Sequence, residues 1–112
     1  MEPINVTNRP IIVNQPMTAG IQSLAIDISD IVNGAVQFIW TGTAPVGTVN
    51  VLLSNDGINF DPAGVAAARS VSGNIGNIVI PFSLAGYKYI QAVFVFSSGT
   101  GTLNAIFNGK RN

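Results

Sequence analysis

Apolar side chains recur at alternate positions through most of this chain, a period that leaves little room for helices. Val36, Phe38 and Trp40 alternate with Ala35, Gln37 and Ile39. Val49, Val51 and Leu53 alternate with Thr48, Asn50 and Leu52, and Leu103, Ala105 and Phe107 repeat the pattern near the end. Successive side chains of a strand point to opposite faces, so each run presents one face to a core. Of the 112 residues, 26 are Val or Ile and only five are Leu. Such β-branched side chains are stiff and pack well on a pleated surface. The 12 glycines and six prolines are scattered, which punctuates many short elements.

The pattern predicts strands over residues 21–28, 34–41, 48–54, 77–82, 87–96 and 102–108. Gly42 to Gly47 reads as the loop of one hairpin, and Ser97 to Gly101 as the loop of another. Ser54-Asn55-Asp56-Gly57 predicts a tight turn, because Asp-Gly favours positive φ and short polar side chains cap nearby amides. Phe60 is expected to fold back onto the core. Residues 62–74 are rich in Gly and Ala, and Ala66 to Arg69 fits either a helical turn or the start of a strand.

The stretch Tyr87 to Phe96 is apolar on both faces. Ile90, Ala92, Phe94 and Phe96 share one face; Tyr87, Tyr89, Gln91, Val93 and Val95 share the other. A sheet wetted on one side alternates more cleanly, so this strand is central or its second face meets another subunit. Pro3, Pro10 and Pro16 interrupt regular structure in residues 1–20, which read as an extended N-terminal arm. Its apolar run, Ile11, Ile12 and Val13, is an edge strand or lies on a neighbouring subunit. Residues 21–112 then form the domain, with seven or eight strands and turn signals about every 8–12 residues. The expected fold class is all-β: an antiparallel β-sandwich or jelly roll, with a small barrel as runner-up.

Charge constrains function next. Ten residues are charged, five of each sign. A chain of this mass exposes about 5,900 Å² when folded, and soluble surfaces usually draw about a quarter or more of their residues from Lys, Arg, Asp and Glu. Here 12 Asn, eight Ser and seven Thr supply the polarity instead. An uncharged surface of this size favours association, so neighbouring subunits are expected to cover much of it. Neutrality also argues against nucleic acid, which calls for a basic patch; Lys110 and Arg111 read as a solvated end. No apolar run is long enough for a membrane span, and Met1 to Asn5 does not begin a secretory signal.

Histidine and cysteine are both absent. That removes the usual general base, the common metal ligands and the Ser-His and Cys-His nucleophile pairs. The carboxylates are Glu2, Asp27, Asp30, Asp56 and Asp61, and turn capping accounts for the four Asp residues. No catalytic residue, cofactor or metal is expected. Asn55, Asp56, Asn59 and Asp61 form an oxygen-rich loop of the kind that can take calcium, although the spacing is not that of an EF-hand and no bidentate Glu follows; with the tyrosines the same loop is a candidate for a glycan. Gly99-Thr100-Gly101 lacks the rest of a dinucleotide fingerprint. Trp40 shares a face with Val36 and Phe38 and belongs to the core. Tyr87 and Tyr89 suit an interface anchor or a sugar platform equally.

Two stretches carry a family resemblance. One is Gly47-Thr48-Val49-Asn50-Val51-Leu52-Leu53-Ser54-Asn55-Asp56-Gly57-Ile58-Asn59-Phe60. The other is Tyr87-Lys88-Tyr89-Ile90-Gln91 leading to Ser98-Gly99-Thr100-Gly101-Thr102-Leu103-Asn104-Ala105. They resemble small β-sandwich proteins encoded among phage structural genes, in which a strand ends in Ser-Asn-Asp-Gly-x-Asn-Trp/Phe and a Tyr-x-Tyr strand leads to Gly-Thr-Gly-Thr-Leu. More distantly they resemble discoidin-like carbohydrate-binding sandwiches. The resemblance implies a virion component: a minor capsid, decoration or spike-base or fibre protein. It implies partners that are other copies of the chain, a trimer first, and a capsid protein. Ile11, Ile12, Val13, Tyr87, Tyr89, Val93 and Val95 are the interface candidates. The alternative is a carbohydrate- or receptor-binding module built on the tyrosines and the Ser54 to Asp61 loop.

Overall fold

The structure is a computed structural model and describes residues 6–28, 31–61, 64, 68–83 and 88–111. Seven strands follow one another: β1 (Val6–Pro16), β2 (Ile21–Gln22), β3 (Ile26–Asp27), β4 (Ile31–Ser54), β5 (Arg69–Val71), β6 (Ile75–Ser83) and β7 (Tyr89–Arg111). There is no helix among the described residues, and every pairing is antiparallel.

The two long strands organise the molecule. β4 and β7 pair along their length, from Ile31 opposite Arg111 to Ser54 opposite Tyr89. At one end, the second half of β7 and the first half of β4 lie between β1 and β6. At the other end, the first half of β7 and the second half of β4 lie between β2 with β3 and β5. The ribbon folds midway, so one hydrogen-bonded sheet makes both layers of the sandwich, strands passing between layers at a bend. Both inner faces feed one core. It joins Val36, Phe38, Trp40, Leu103 and Phe107 of the first layer to Val49, Val51, Ile90, Ala92 and Phe94 of the second. Phe38 and Ala92 are fully buried, at 0% exposure. The rings of Phe82 and Phe107 stack 6.2 Å apart within it.

The two hairpin loops expected at Gly42–Gly47 and Ser97–Gly101 do not form. Both segments are the bend itself, where the register of β4 against β7 shifts between Thr43 and Gly47. Gly42 faces Gly101 across the ladder, and a side chain on either would collide with the opposing backbone. Gly99 has φ 85°, and a Cβ there would overlap the Ala44 carbonyl. Glycine permits this crossing for both steric and conformational reasons. Asn74 fastens the bend: its backbone carbonyl accepts from Gly42 N–H and its side-chain oxygen from Ala44 N–H, both at 2.8 Å.

The strand expected over residues 21–28 is interrupted. Between β2 and β3, Ser23 N–H donates to the Ala92 carbonyl, while the Ala92 N–H donates to the Ser23 hydroxyl, each at 2.9 Å. A side-chain oxygen thus replaces a carbonyl of the ladder. The hydroxyl donates onward to Leu24 O at 2.9 Å, and the Gln91 side chain donates to Ser23 O at 2.9 Å.

The edges differ in character. β1 carries two register shifts and two prolines, and Asn14 sits at φ 48°. Such irregularities blunt an edge. β6 runs without a shift along β4. The Gly42 to Asn74 bond sets its phase: Gly76, Ile78, Ile80 and Phe82 turn their backbone groups to β4. Ile75, Asn77, Val79 and Pro81 turn theirs away. Pro81 therefore costs β6 no ladder bond, and the strand continues through it.

Candidate functional site

The turn after β4 is built by side chains. The Ser54 hydroxyl accepts from the amides of Asp56 at 3.2 Å and Gly57 at 3.0 Å, and donates to Asp56 Oδ1 at 2.9 Å. Asp56 Oδ1 also accepts from Ile58 N–H at 2.9 Å and Asn59 N–H at 2.8 Å; Oδ2 accepts from the Asn59 side chain at 2.8 Å. Gly57 takes φ 75°, which the Asp-Gly pair predicts. The Asn59 amide, then the Ile58 amide, the Asn59 side chain and the Ser54 hydroxyl hold the Asp56 carboxyl well below its ordinary value of 3.8. A carboxylate so occupied is a weak base. Among the described residues no three acidic, His or Cys side chains gather to hold a metal.

The four loop candidates divide. Asp56 and Asn59 are joined in the turn, Asn55 is exposed beside it, and the Asp61 backbone bridges back to Leu53. Tyr89 lies opposite Ser54 and is half-buried, and its ring faces Gly57, where a Cβ would stand 3.4 Å away. Tyr89 and the turn are thus one surface. Tyr87 lies outside the described residues. Phe60 is half-buried and lines a shallow groove with Ser23, Leu24, Leu52, Ile58 and Gln91, outside the buried core cluster.

The interface candidates fall on two layers. Tyr89, Val93 and Val95 project from the outer face of the second, where Val93 is half-buried and Val95 is 61% exposed. Ile11, Ile12 and Val13 belong to β1 of the first. There Ile12 enters the chain's own core at 3% exposure, Ile11 packs against that core and Val13 is 54% exposed. Five exposed apolar side chains escaped the sequence reading: Leu24, Val46, Ile58, Ile75 and Val79. Ile58 carried a signal, since it is an isolated apolar residue in a polar turn. No helix of the described residues is long and apolar enough to cross a membrane.

No protein-family model matches this chain, and no curated protein does. Solved structures do. The crystal structure of SPBc2 prophage-derived protein YomS matches with TM-score 0.64 and 10% identity over 96% of both chains. A chain of the infectious bursal disease virus Gx strain matches with TM-score 0.55 and 10% identity, over 98% of this chain and 32% of that one. A chain of the T13 infectious bursal disease virus particle gives 0.50 and 13%, over 98% and 32%. The present chain spans about a third of the length of those two viral chains. At such identities the shared property is the fold.

Proposed function

We propose that this chain is a structural component of a bacteriophage virion, a minor capsid, decoration or spike- or fibre-base protein. It works by associating with itself, as a trimer first, and by binding capsid subunits. The observation that carries the proposal is a fold shared, over nearly the whole of both chains, with a prophage-derived protein. The fold's recurrence inside chains of an icosahedral virus supports it. So does the surface: about 6,300 Å² with five charges of each sign in the whole chain. Val13, Val93, Val95 and the Tyr89 edge of the second layer are the proposed contacts.

The test is sedimentation of particles from the chain's source through a density gradient, probed with antibody to the chain. Co-banding with DNA-filled particles, together with a discrete oligomer by light scattering, is the expected result. A protein that is monomeric alone and absent from particles overturns the proposal.

A further inference from the structure

We propose that the open edge of β6 is a self-association surface, on which β6 of a second copy pairs antiparallel about a two-fold axis at Asn77. Among the described residues, β6 hydrogen-bonds to β4 alone. Its outward N–H and C=O groups belong to Ile75, Asn77 and Val79, at every second residue. An antiparallel pair exchanges both bonds between facing residues at that spacing. The array is therefore complementary to itself: Asn77 meets Asn77 of the second copy, and Ile75 meets Val79. Pro81, which has no donor, falls opposite Gly73 at the end of this ladder.

Chemistry favours a second copy as occupant. Exposed edges are normally guarded by charges, prolines, bulges or shortness. β1 has bulges, and β2, β3 and β5 span two or three residues each. β6 has nine residues, no register shift and no charge, its one proline lies past Ile75, Asn77 and Val79, and no charged residue lies between Arg69 and Lys88. Two such edges meet without like-charge repulsion. Ile75 is 79% exposed and Val79 47%, and each covers the other across the pair. The contact deepens the self-association part of the virion proposal and rests on that reading. Being two-fold, it joins two copies, or two trimers.

The test compares light-scattering masses of the full chain, Asn77→Pro and Val79→Lys, with circular dichroism to monitor the fold. Asn77→Pro removes a donor from the edge, and Val79→Lys sets an ammonium against Ile75 of the second copy. Both variants are expected to halve the mass at unchanged secondary structure. The chain has no cysteine, so Asn77→Cys adds a clean probe. Facing Cα atoms of a bonded pair lie about 5.5 Å apart, within disulfide reach. Under mild oxidant this variant is expected to form cross-linked dimers, and Asn55→Cys, in the exposed turn, is not. Unchanged masses, or equal cross-linking at the two positions, overturn the pairing while leaving self-association in place. A wild-type chain that is monomeric at every concentration also overturns it; the particle gradient then decides the virion reading separately.

Discussion

Ser23→Ala isolates one atom of the fold. The substitution keeps the Cβ and removes the oxygen that receives the Ala92 N–H at 2.9 Å. Ala92 is at 0% exposure and Ser23 at 6%, so water does not readily replace the lost partner. A buried amide left without an acceptor costs about 1–3 kcal/mol. The second bond of the hydroxyl ends on Leu24, which is 82% exposed, so that carbonyl rehydrates at little cost. The Ser23 N–H still reaches the Ala92 carbonyl. The expected loss is about 2 kcal/mol, most of it from one N–H. For 112 residues the unfolding entropy is about 0.24 kcal/mol/K, so Tm should fall by about 8 °C. Thermal and urea unfolding followed by circular dichroism measure the loss, with Ser97→Ala, an exposed serine, as control. Hydrogen exchange at Ala92 supplies an independent reading and should accelerate relative to its neighbours. A Tm within about 2 °C of wild type, with Ala92 protection unchanged, refutes the view that the hydroxyl stands in for a ladder carbonyl.

Other parts of the structure carry their own tests. Gly99→Ala forces a Cβ into the Ala44 backbone at positive φ and should cost about 2 kcal/mol or more, read as a lower urea midpoint; a neutral result sinks the account of the bend. Asp56 is held below its ordinary pKa, so its contribution to stability is present at neutral pH and drains away as pH falls below about 5. Asp56→Asn should therefore be less stable than wild type at pH 7, and the gap should close toward pH 2 in acid melts. A gap constant with pH would show that the charge is not what the turn uses. Trp40→Phe removes both the indole N–H that donates to Gly73 O at 3.2 Å and the part of the ring that packs over Gly76 at a buried site, and should lower stability by about 2 kcal/mol in denaturant titration. Phe38→Ala, at a fully buried site, should cost about 3–5 kcal/mol by the same assay.

What was legible in the sequence is what is local. The turn at Ser54 to Asn59 is fixed by side chains two or three residues from the amides they hold, and its residues announced it. The core faces of β4 and β7 followed from alternation, since Val36, Phe38, Trp40, Ile90, Ala92 and Phe94 all point inward. The bend was misread because a hairpin loop and a crossing of two backbones ask for the same residues. Glycines at 42, 47, 99 and 101 satisfy either, and only the pairing of residues far apart in sequence distinguishes them. Ile11-Ile12-Val13 shows the same limit. Three adjacent apolar residues do not say which points inward, and the register against β7 places Ile12 there. The Ser23 bridge gave no signal, because its partner Ala92 is 69 residues away.

The shared spine has a thermodynamic and a kinetic consequence. Because β4 and β7 run continuously through both layers and the two layers share one core, neither layer can melt without exposing the inner face of the other. The molecule should unfold in one cooperative step, and amides on both sides of the bend should exchange through the same global opening. Its ladders join Ile31 to Arg111 and Ser54 to Tyr89, so little native pairing exists until most of the chain is present. Folding is correspondingly slow for a chain of this length. During that interval β6 is an uncharged edge strand on an incomplete chain, which makes expression temperature and protein concentration the first variables that govern yield.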